Sequence, residues 1–343
     1  MVSGGATATI EHGGPPTASE SSLDELLAEI ERLAQANRDA RSREAERRLV
    51  RLRHLAGMRM VDSAAPGPEF VSPASGRLPQ GDPVPEMSAA ELEPGLIRAG
   101  ILRDGCLLVR GLVPRKRAQA MAKQIDKAFK QRERHDAGRV AEEGYYEEFE
   151  PEPDAGEPVV RGWIKQGGGL LAADAPMLHF EMMEMFAAAR LRELVGGYLG
   201  EPALISVHKT TLREADPSVP GAWHQDGFFM GPVRSLNMWL SLSRCGDEAP
   251  SLDLLPKRLD YYLATNTDGS PLDYTISQRK VDEARGSVPI IRPIFEPGDA
   301  LFFDELFLHQ TGSEESMRKP RYAIENWFFG GSAFPGEYAP IAV

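Results

Sequence analysis

In the stretch GAWHQDGFFM, residues 221–230, His224 and Asp226 stand two apart among aromatic side chains. An imidazole nitrogen and a carboxylate oxygen are both metal ligands. On an extended chain residues i and i+2 point to the same side, so one ion could be chelated by the pair. His179 and Glu181 share that spacing, but their segment reads as helix, where two residues apart means nearly opposite faces. His179 is therefore read as a partly buried helix histidine and not as a ligand. A third ligand has to come from elsewhere. His12 and His54 lie in the N-terminal region, His135 at a charged helix end, and His208 on the segment before the pair. His309 is the best candidate, because it follows EPGDALFFD, a turn and then a hydrophobic run, and so ends a core strand late in the chain. Taken alone, His309 reads more simply as a hydrogen-bonded structural histidine. Joined to His224 and Asp226 it completes a two-histidine, one-carboxylate face for Fe(II), which leaves three positions of an octahedron open.

Arg321 opens the last apolar segment. A guanidinium directed into an apolar barrel needs an anion, since a buried unpaired charge is costly. Its planar, two-pronged geometry suits a carboxylate best. A dicarboxylate such as 2-oxoglutarate could occupy two iron positions through its 2-oxo acid end while Arg321 holds the far carboxylate. Arg318 is a competing anchor; Arg321 is preferred because it enters the strand, whereas Arg318 lies in the polar connection before it.

These residues need a scaffold. With 343 residues, 42% hydrophobic and 26% charged, the chain is long enough for one large or two ordinary domains around a sizeable core. A net charge of -12 argues against electrostatic partnership with nucleic acid or an anionic membrane. Cys106 and Cys245 are too few for a disulfide framework or a zinc cluster, and a reducing compartment fits them. The N-terminus lacks a basic start followed by an apolar stretch, and no run approaches a membrane span, so a cytoplasmic protein is expected.

Residues 1–21, rich in Gly, Ser, Thr and Pro, read as a disordered tail. Residues 22–60 read as a helical extension. Ser22 and Glu25 form a capping-box pattern, and Leu23, Leu26, Leu27, Ile30, Leu33 and Ala34 recur at helical spacing, with Leu49, Leu52 and Leu55 resuming the stripe. A helical hairpin or one long helix would explain the polar middle, lying on the body by default or, as the sharper expectation, joining two copies in a homodimer. Residues 61–87 are too dense in Pro and Gly for helix or strand and form an extended linker. From residue 88 to the end a second unit begins with helix, strand (GCLLVRGLV) and helix, followed by an acidic loop and one helix over MLHFEMMEMFAAARLRELVGGYLG. Beyond Gly200 the segments ALISVHKTTLRE, AWHQDGFF, SLNMWLSLS, SLDLLPKR, VPIIRPIF, ALFFDELFLHQ and RYAIENWFFG have strand length and strand composition. An α+β fold follows, with a jelly roll whose facing sheets enclose a pocket.

Several pieces of this chain, in order, resemble the phytanoyl-CoA dioxygenase-like branch of the Fe(II)/2-oxoglutarate oxygenases. They are DGCLLVRGLV with its following helix, WHQD at 223–226, NMWLSL at 237–242, PGDALFF at 297–303, HQT at 309–311, and Arg321. The resemblance runs over roughly residues 88–330 and implies a double-stranded β-helix, cupin-like core with flanking helices. It further implies iron on His224, Asp226 and His309, and 2-oxoglutarate held by Arg321 with help from the Thr311 hydroxyl, with Trp239 lining the same pocket. The implied reaction consumes O2, releases succinate and CO2, and hydroxylates or desaturates a C–H bond of a small molecule; halogenases of this chemistry lack the carboxylate ligand that Asp226 supplies. The chain departs from the family where DEAPSLDLLPKR replaces the usual NGCL turn and PGSH motif, so substrate contacts do not carry over. Two other readings remain: a non-catalytic binding or regulatory protein on the same scaffold, and a cupin-type metalloenzyme without 2-oxoglutarate, which Arg321 disfavours. RGWIKQGGGL, with Trp163 and Lys165, could cover the pocket, and Phe228 and Phe229 could wall it, although each reads first as ordinary packing. Nothing in the sequence signals coenzyme A recognition or identifies the substrate.

Overall fold

The computed structural model describes residues 21–343 other than 82, 219, 220, 232 and 268, so the tail at residues 1–20 lies outside it. The helical extension is a hairpin of α1 (Leu23–Asp39) and α2 (Arg43–Asp62). Ser22 accepts from the Glu25 amide while the Glu25 carboxylate accepts from the Ser22 amide, the reciprocal capping box that the sequence suggests. Ser42 caps α2, and the Asn37 carboxamide oxygen accepts from its amide at 2.8 Å, closing the turn. The apolar stripe of both helices buries against Phe180, Leu204 and Ala342 of the body. The stripe that suggested a homodimer is thus covered by the chain itself.

The described residues of 63–85 form neither α-helix nor strand and hold one 3-10 turn at Ser75–Arg77, as the Pro and Gly density requires. The linker ends earlier than expected: β1 (Glu86–Ser88) pairs in parallel with β2 (Cys106–Arg110). Between them, α3 (Pro94–Asp104) starts on a proline and stops at Gly105, whose φ of 85° continues no helix. After α4 (Arg115–Asp136) come the acidic loop, α5 (Gly162–Gln166) and β3 (Gly169–Leu171). The single helix expected over residues 177–200 is two, α6 (Pro176–Ala188) and α7 (Leu191–Leu199), divided at Arg190 with φ 55°. The break lets α7 bury Leu191, Val195, Tyr198 and Leu199 on a new axis, which periodicity along one axis does not report.

The β half contains β4 (Ala203–Ser206), β5 (Thr210–Ala215), β6 (Ser235–Ser241), β7 (Ser251–Leu254), α8 (Gln278–Arg285), β8 (Ala300–Phe303), β9 (His309–Gly312), β10 (Arg321–Gly330) and β11 (Pro340–Ala342). Among the described residues, the main sheet runs β1-β2-β8-β6-β10-β4-β11, with β5 on β10 and β3 on β5, and a second sheet pairs β7 with β9. Every residue of β6 is buried because both faces are covered. Leu236, Met238 and Leu240 pack towards the helices, in the cluster that holds Met121, Leu178 and Leu191. Trp239 belongs instead to the interior with Leu252 and Leu254 of the smaller sheet, and with Leu301, Phe303 and Trp327. The interior between the sheets is where the polar candidates gather.

Four expected strands differ. ALISVHKTTLRE is divided into β4 and β5. AWHQDGFF carries only an isolated bridge, His224 to His309, followed by a 3-10 turn at Asp226–Phe229. VPIIRPIF is extended chain with single bridges at Ile291 and Phe295. ALFFDELFLHQ is divided into β8 and β9, so His309 opens a strand of the smaller sheet where it was expected to end one. Strand-like composition in these segments serves a covered, half-apolar path without a full ladder.

Candidate active site

His224 and His309 exchange both main-chain hydrogen bonds, 3.0 Å from the His224 amide and 3.2 Å from the His309 amide. The approach is close enough that a Cβ on Gly221 would lie 1.8 Å from the Thr311 carbonyl oxygen, so a residue without a side chain is needed there. Gln225 is extended (φ -121°, ψ 123°), which sets His224 and Asp226 on one side of the chain even without a ladder. Its own side chain points the other way and is fully used, donating to Tyr261 and Leu306 carbonyls and accepting from the Leu263 amide.

One ligand atom from each of His224, Asp226 and His309 falls within 4.8 Å of the others. Nε2 of His224 is 3.6 Å from Oδ1 of Asp226, and Nε2 of His309 is 3.9 Å from Oδ2. Nδ1 of each histidine donates to a backbone carbonyl two residues back, Ala222 at 2.7 Å and Phe307 at 3.1 Å. That contact fixes the tautomer and leaves both Nε2 lone pairs facing the carboxylate. Oδ2 of Asp226 is buried with no hydrogen-bonding partner, a costly state for an anionic oxygen unless a cation completes it. Burial, reinforced by the neighbouring His224, pushes the His309 pKa down to about 4, so the ring stays neutral and free to coordinate. The residues present therefore fit a divalent metal.

Arg321 is 4% exposed, and its Nε has no acceptor. The guanidinium lies 5.1 Å from the Trp239 ring, and burial lowers its pKa to about 10, which leaves it charged at neutral pH. Arg321, Trp239 and Thr311 line one cavity of about 260 Å³ together with His224 and His309. Lys165, Gln166, Gly167 and Gly168 form part of its rim, so RGWIKQGGGL does border the pocket. Arg318 is outside it, exposed, and bonded to the Glu315 and Met317 carbonyls. None of the other described histidines joins this group. His54 holds the Pro340 carbonyl and the Glu152 amide, and His208 holds the Glu157 carbonyl and the Ala339 amide. His135 is at the surface beside Asp136, His179 is buried in α6, and His12 lies outside the described residues.

The sequence reading missed Lys209, Arg213 and Glu325. Arg213 and Glu325 line the same cavity and pair at 2.8 Å, and Arg213 also donates to the Gly167 carbonyl at 3.0 Å. Burial works against the charged form of Glu325, but Arg213, with His309 and Lys209, more than offsets it and holds the carboxyl well below the usual range. A period-two count could have found them. If Arg321 faces inward, so do Ala323, Glu325 and Trp327 on β10, and the register then places Arg213 and Thr211 on the same face.

A jelly roll that gathers two histidines and a carboxylate at one end of a cavity, with an arginine lining it, defines the class of protein. The family model described as "Phytanoyl-CoA dioxygenase (PhyH)" matches residues 101–323, and the chain belongs to that family. No curated protein matches it. Among solved structures, EctD from S. alaskensis with 2-oxoglutarate and 5-hydroxyectoine is similar at 16% identity and a TM-score of 0.51, covering 78% of this chain and 85% of the other. AviO1 from Streptomyces viridochromogenes Tue57 is similar at 18% identity and a TM-score of 0.45, covering 71% and 98%. The likeness to EctD is one of fold.

Proposed function

We propose that the protein is a non-haem Fe(II)- and 2-oxoglutarate-dependent dioxygenase that hydroxylates or desaturates a small molecule. The observation that carries this reading is the Asp226 carboxylate facing the Nε2 atoms of both histidines with its Oδ2 unpartnered, beside a cavity lined by Arg321, whose Nε also lacks a partner. His224, Asp226 and His309 would hold the iron. Fe(II) bound there would supply dioxygen activation, with 2-oxoglutarate giving up succinate and CO2. Arg321 would grip the distal carboxylate in a charge-assisted, two-pronged contact, with the Trp239 ring beneath the guanidinium as a cation-π partner. Thr311, on the cavity wall, offers a hydroxyl donor to the same carboxylate. Phe303 and Leu252 on the other walls keep water from the reacting atoms. The similar structure of EctD holds 2-oxoglutarate, the co-substrate proposed here.

We place the protein in the cytoplasm. Both cysteines are buried and free, which suits a reducing compartment, and no described helix is long and apolar enough to cross a membrane. The test of the activity is to load the protein anaerobically with Fe(II) and titrate 2-oxoglutarate, following the metal-to-ligand charge-transfer band. A saturable band, and succinate release once oxygen and a substrate are supplied, are expected. Absence of the band at full iron occupancy would reject the reading.

A further inference from the structure

Lys209 directly precedes β5, and its carbonyl accepts from the Trp327 amide at 3.3 Å, so it continues the inward-facing row of Thr211 and Arg213. Its Nζ lies among three aromatic rings, 5.3 Å from Trp163, 5.2 Å from Phe229 and 5.7 Å from Tyr338. Phe229 belongs to the 3-10 turn that begins at Asp226, so the ammonium stands on the Asp226 side of the three ligand candidates. Asp226 and Glu325 are the anions that act on it most strongly, yet among the described residues no carboxylate oxygen lies within 4.0 Å of Nζ. Glu325 is taken by Arg213, and Asp226 faces the two histidines. The three rings hold the cation in place but accept none of its hydrogens in a full hydrogen bond.

The charges facing the interior then leave a remainder. Arg213 and Glu325 cancel. Fe(II) held by Asp226 would carry one net positive charge and Arg321 carries a second, and the two carboxylates of 2-oxoglutarate would balance them. Glu337 acts on Lys209 only after Asp226 and Glu325, and among the described residues no carboxylate reaches contact with it, so Lys209 stays without an anion in contact in a half-buried setting, which is unfavourable unless one arrives. Trp163 and Phe229 are 46% and 37% exposed, so the rings that flank the ammonium also offer open apolar surface to whatever brings that anion.

Resting on the oxygenase reading, we propose that Lys209 anchors the substrate, and that the substrate is an organic monoanion. Its acidic group pairs with the Lys209 ammonium, and its apolar or aromatic part lies along Trp163 and Phe229. This arrangement presents a C–H bond to the metal end of the cavity. Lys209 acts here as a specificity-determining residue and takes no part in holding iron or 2-oxoglutarate.

The test uses the full chain loaded anaerobically with Fe(II) and 2-oxoglutarate. If no charge-transfer band forms, the oxygenase reading itself fails, and this proposal with it. With the band present, two matched pairs of probes, phenylacetate with phenylacetamide and phenyl phosphate with phenol, are titrated by calorimetry. The first pair reports a carboxylate and the second a phosphate. At least one anion should bind about tenfold or more tightly than its neutral partner, the scale of a hydrogen bond to a charged group. Lys209→Met should erase that preference, Lys209→Arg should restore much of it, and both variants should keep wild-type iron stoichiometry and 2-oxoglutarate affinity. Equal binding of acid and neutral partner in the wild type overturns the proposal, and this comparison stands even if Lys209→Met fails to fold. Survival of the preference in Lys209→Met, or a selective loss of 2-oxoglutarate affinity, overturns it as well.

Discussion

The Arg321 guanidinium lies 5.1 Å from the ring of Trp239, and no acceptor meets its Nε. A buried arginine held over an indole, with no carboxylate paired to it among the described residues, is prepared for a carboxylate. Arg321→Ala should therefore weaken 2-oxoglutarate binding by roughly 30-fold or more, corresponding to the ~2–5 kcal/mol typical of truncating one partner of a buried charged pair. Iron stoichiometry should not change. Arg318→Ala, whose side chain bonds only local carbonyls outside the cavity, should leave the affinity as it is. Anaerobic titration of the charge-transfer band reads both variants. A loss confined to Arg318→Ala would move the anchor to that residue.

Asp226→Asn preserves shape and removes the charge that opposes the two imidazoles. Iron affinity should fall by more than the ~10–100-fold that loss of a partner one step further from the metal costs. Competition with a chelator, followed by metal analysis, measures this. Wild-type affinity in the variant would remove Asp226 from the ligand set.

His179 is buried in α6 with its Nε2 unpartnered, and burial pushes its pKa down to about 3. A histidine depressed below its unfolded value of 6.5 takes up its proton more readily when unfolded. Its contribution to stability is therefore intact above about pH 6.5 and is lost as pH falls towards 3, by at most ~1.4 kcal/mol per pH unit. His179→Leu, which keeps an apolar shape and removes the titrating group, should lessen the loss of apoprotein stability between pH 7 and pH 5 by about 2 kcal/mol. Urea unfolding at the two pH values checks it. The variant should bind iron with wild-type stoichiometry, and loss of metal from a folded variant would return His179 to the candidate ligands.

Leu52 of α2 is 3% exposed in the cluster that joins the hairpin to Phe180, Leu204 and Ala342. Leu52→Ala should cost about 2–5 kcal/mol of stability, as buried leucine truncations do, while 2-oxoglutarate affinity stays the same. Gly57→Ala should also destabilise, since the added Cβ would stand 2.9 Å from the Ile341 amide nitrogen. Sedimentation should show the same mass for wild type and Leu52→Ala. A mass change would mean that the hairpin also holds a second copy, the arrangement its apolar stripe first suggested.

The sequence by itself determined which side chains could do the chemistry. His-x-Asp chelates wherever the intervening residue is extended, and Gln225 is, so the local geometry follows from spacing whether or not a ladder forms. The position of Arg321 ahead of an apolar run likewise favoured it over Arg318 as the cation entering the barrel, and the capping box and leucine stripe fixed the helical character of the extension while leaving hairpin and single long helix open. The tertiary structure decided what no local pattern encodes. The chain turns from α6 to α7 at Arg190 because α7 packs on the sheet along its own direction, and one-dimensional periodicity is blind to a change of axis. His309 begins β9 and bridges His224 because two sheets close on each other, a contact between residues 85 positions apart that only the register of the folded chain supplies. Alternation along β10 marks Glu325 once Arg321 is taken to face inward, but that Arg213 and Lys209 share its face follows only from the register of β5 on β10 in the folded chain. Ligand type is a property of single residues and survives any rearrangement of the chain; charge compensation depends on distances between strands, and those exist only after folding.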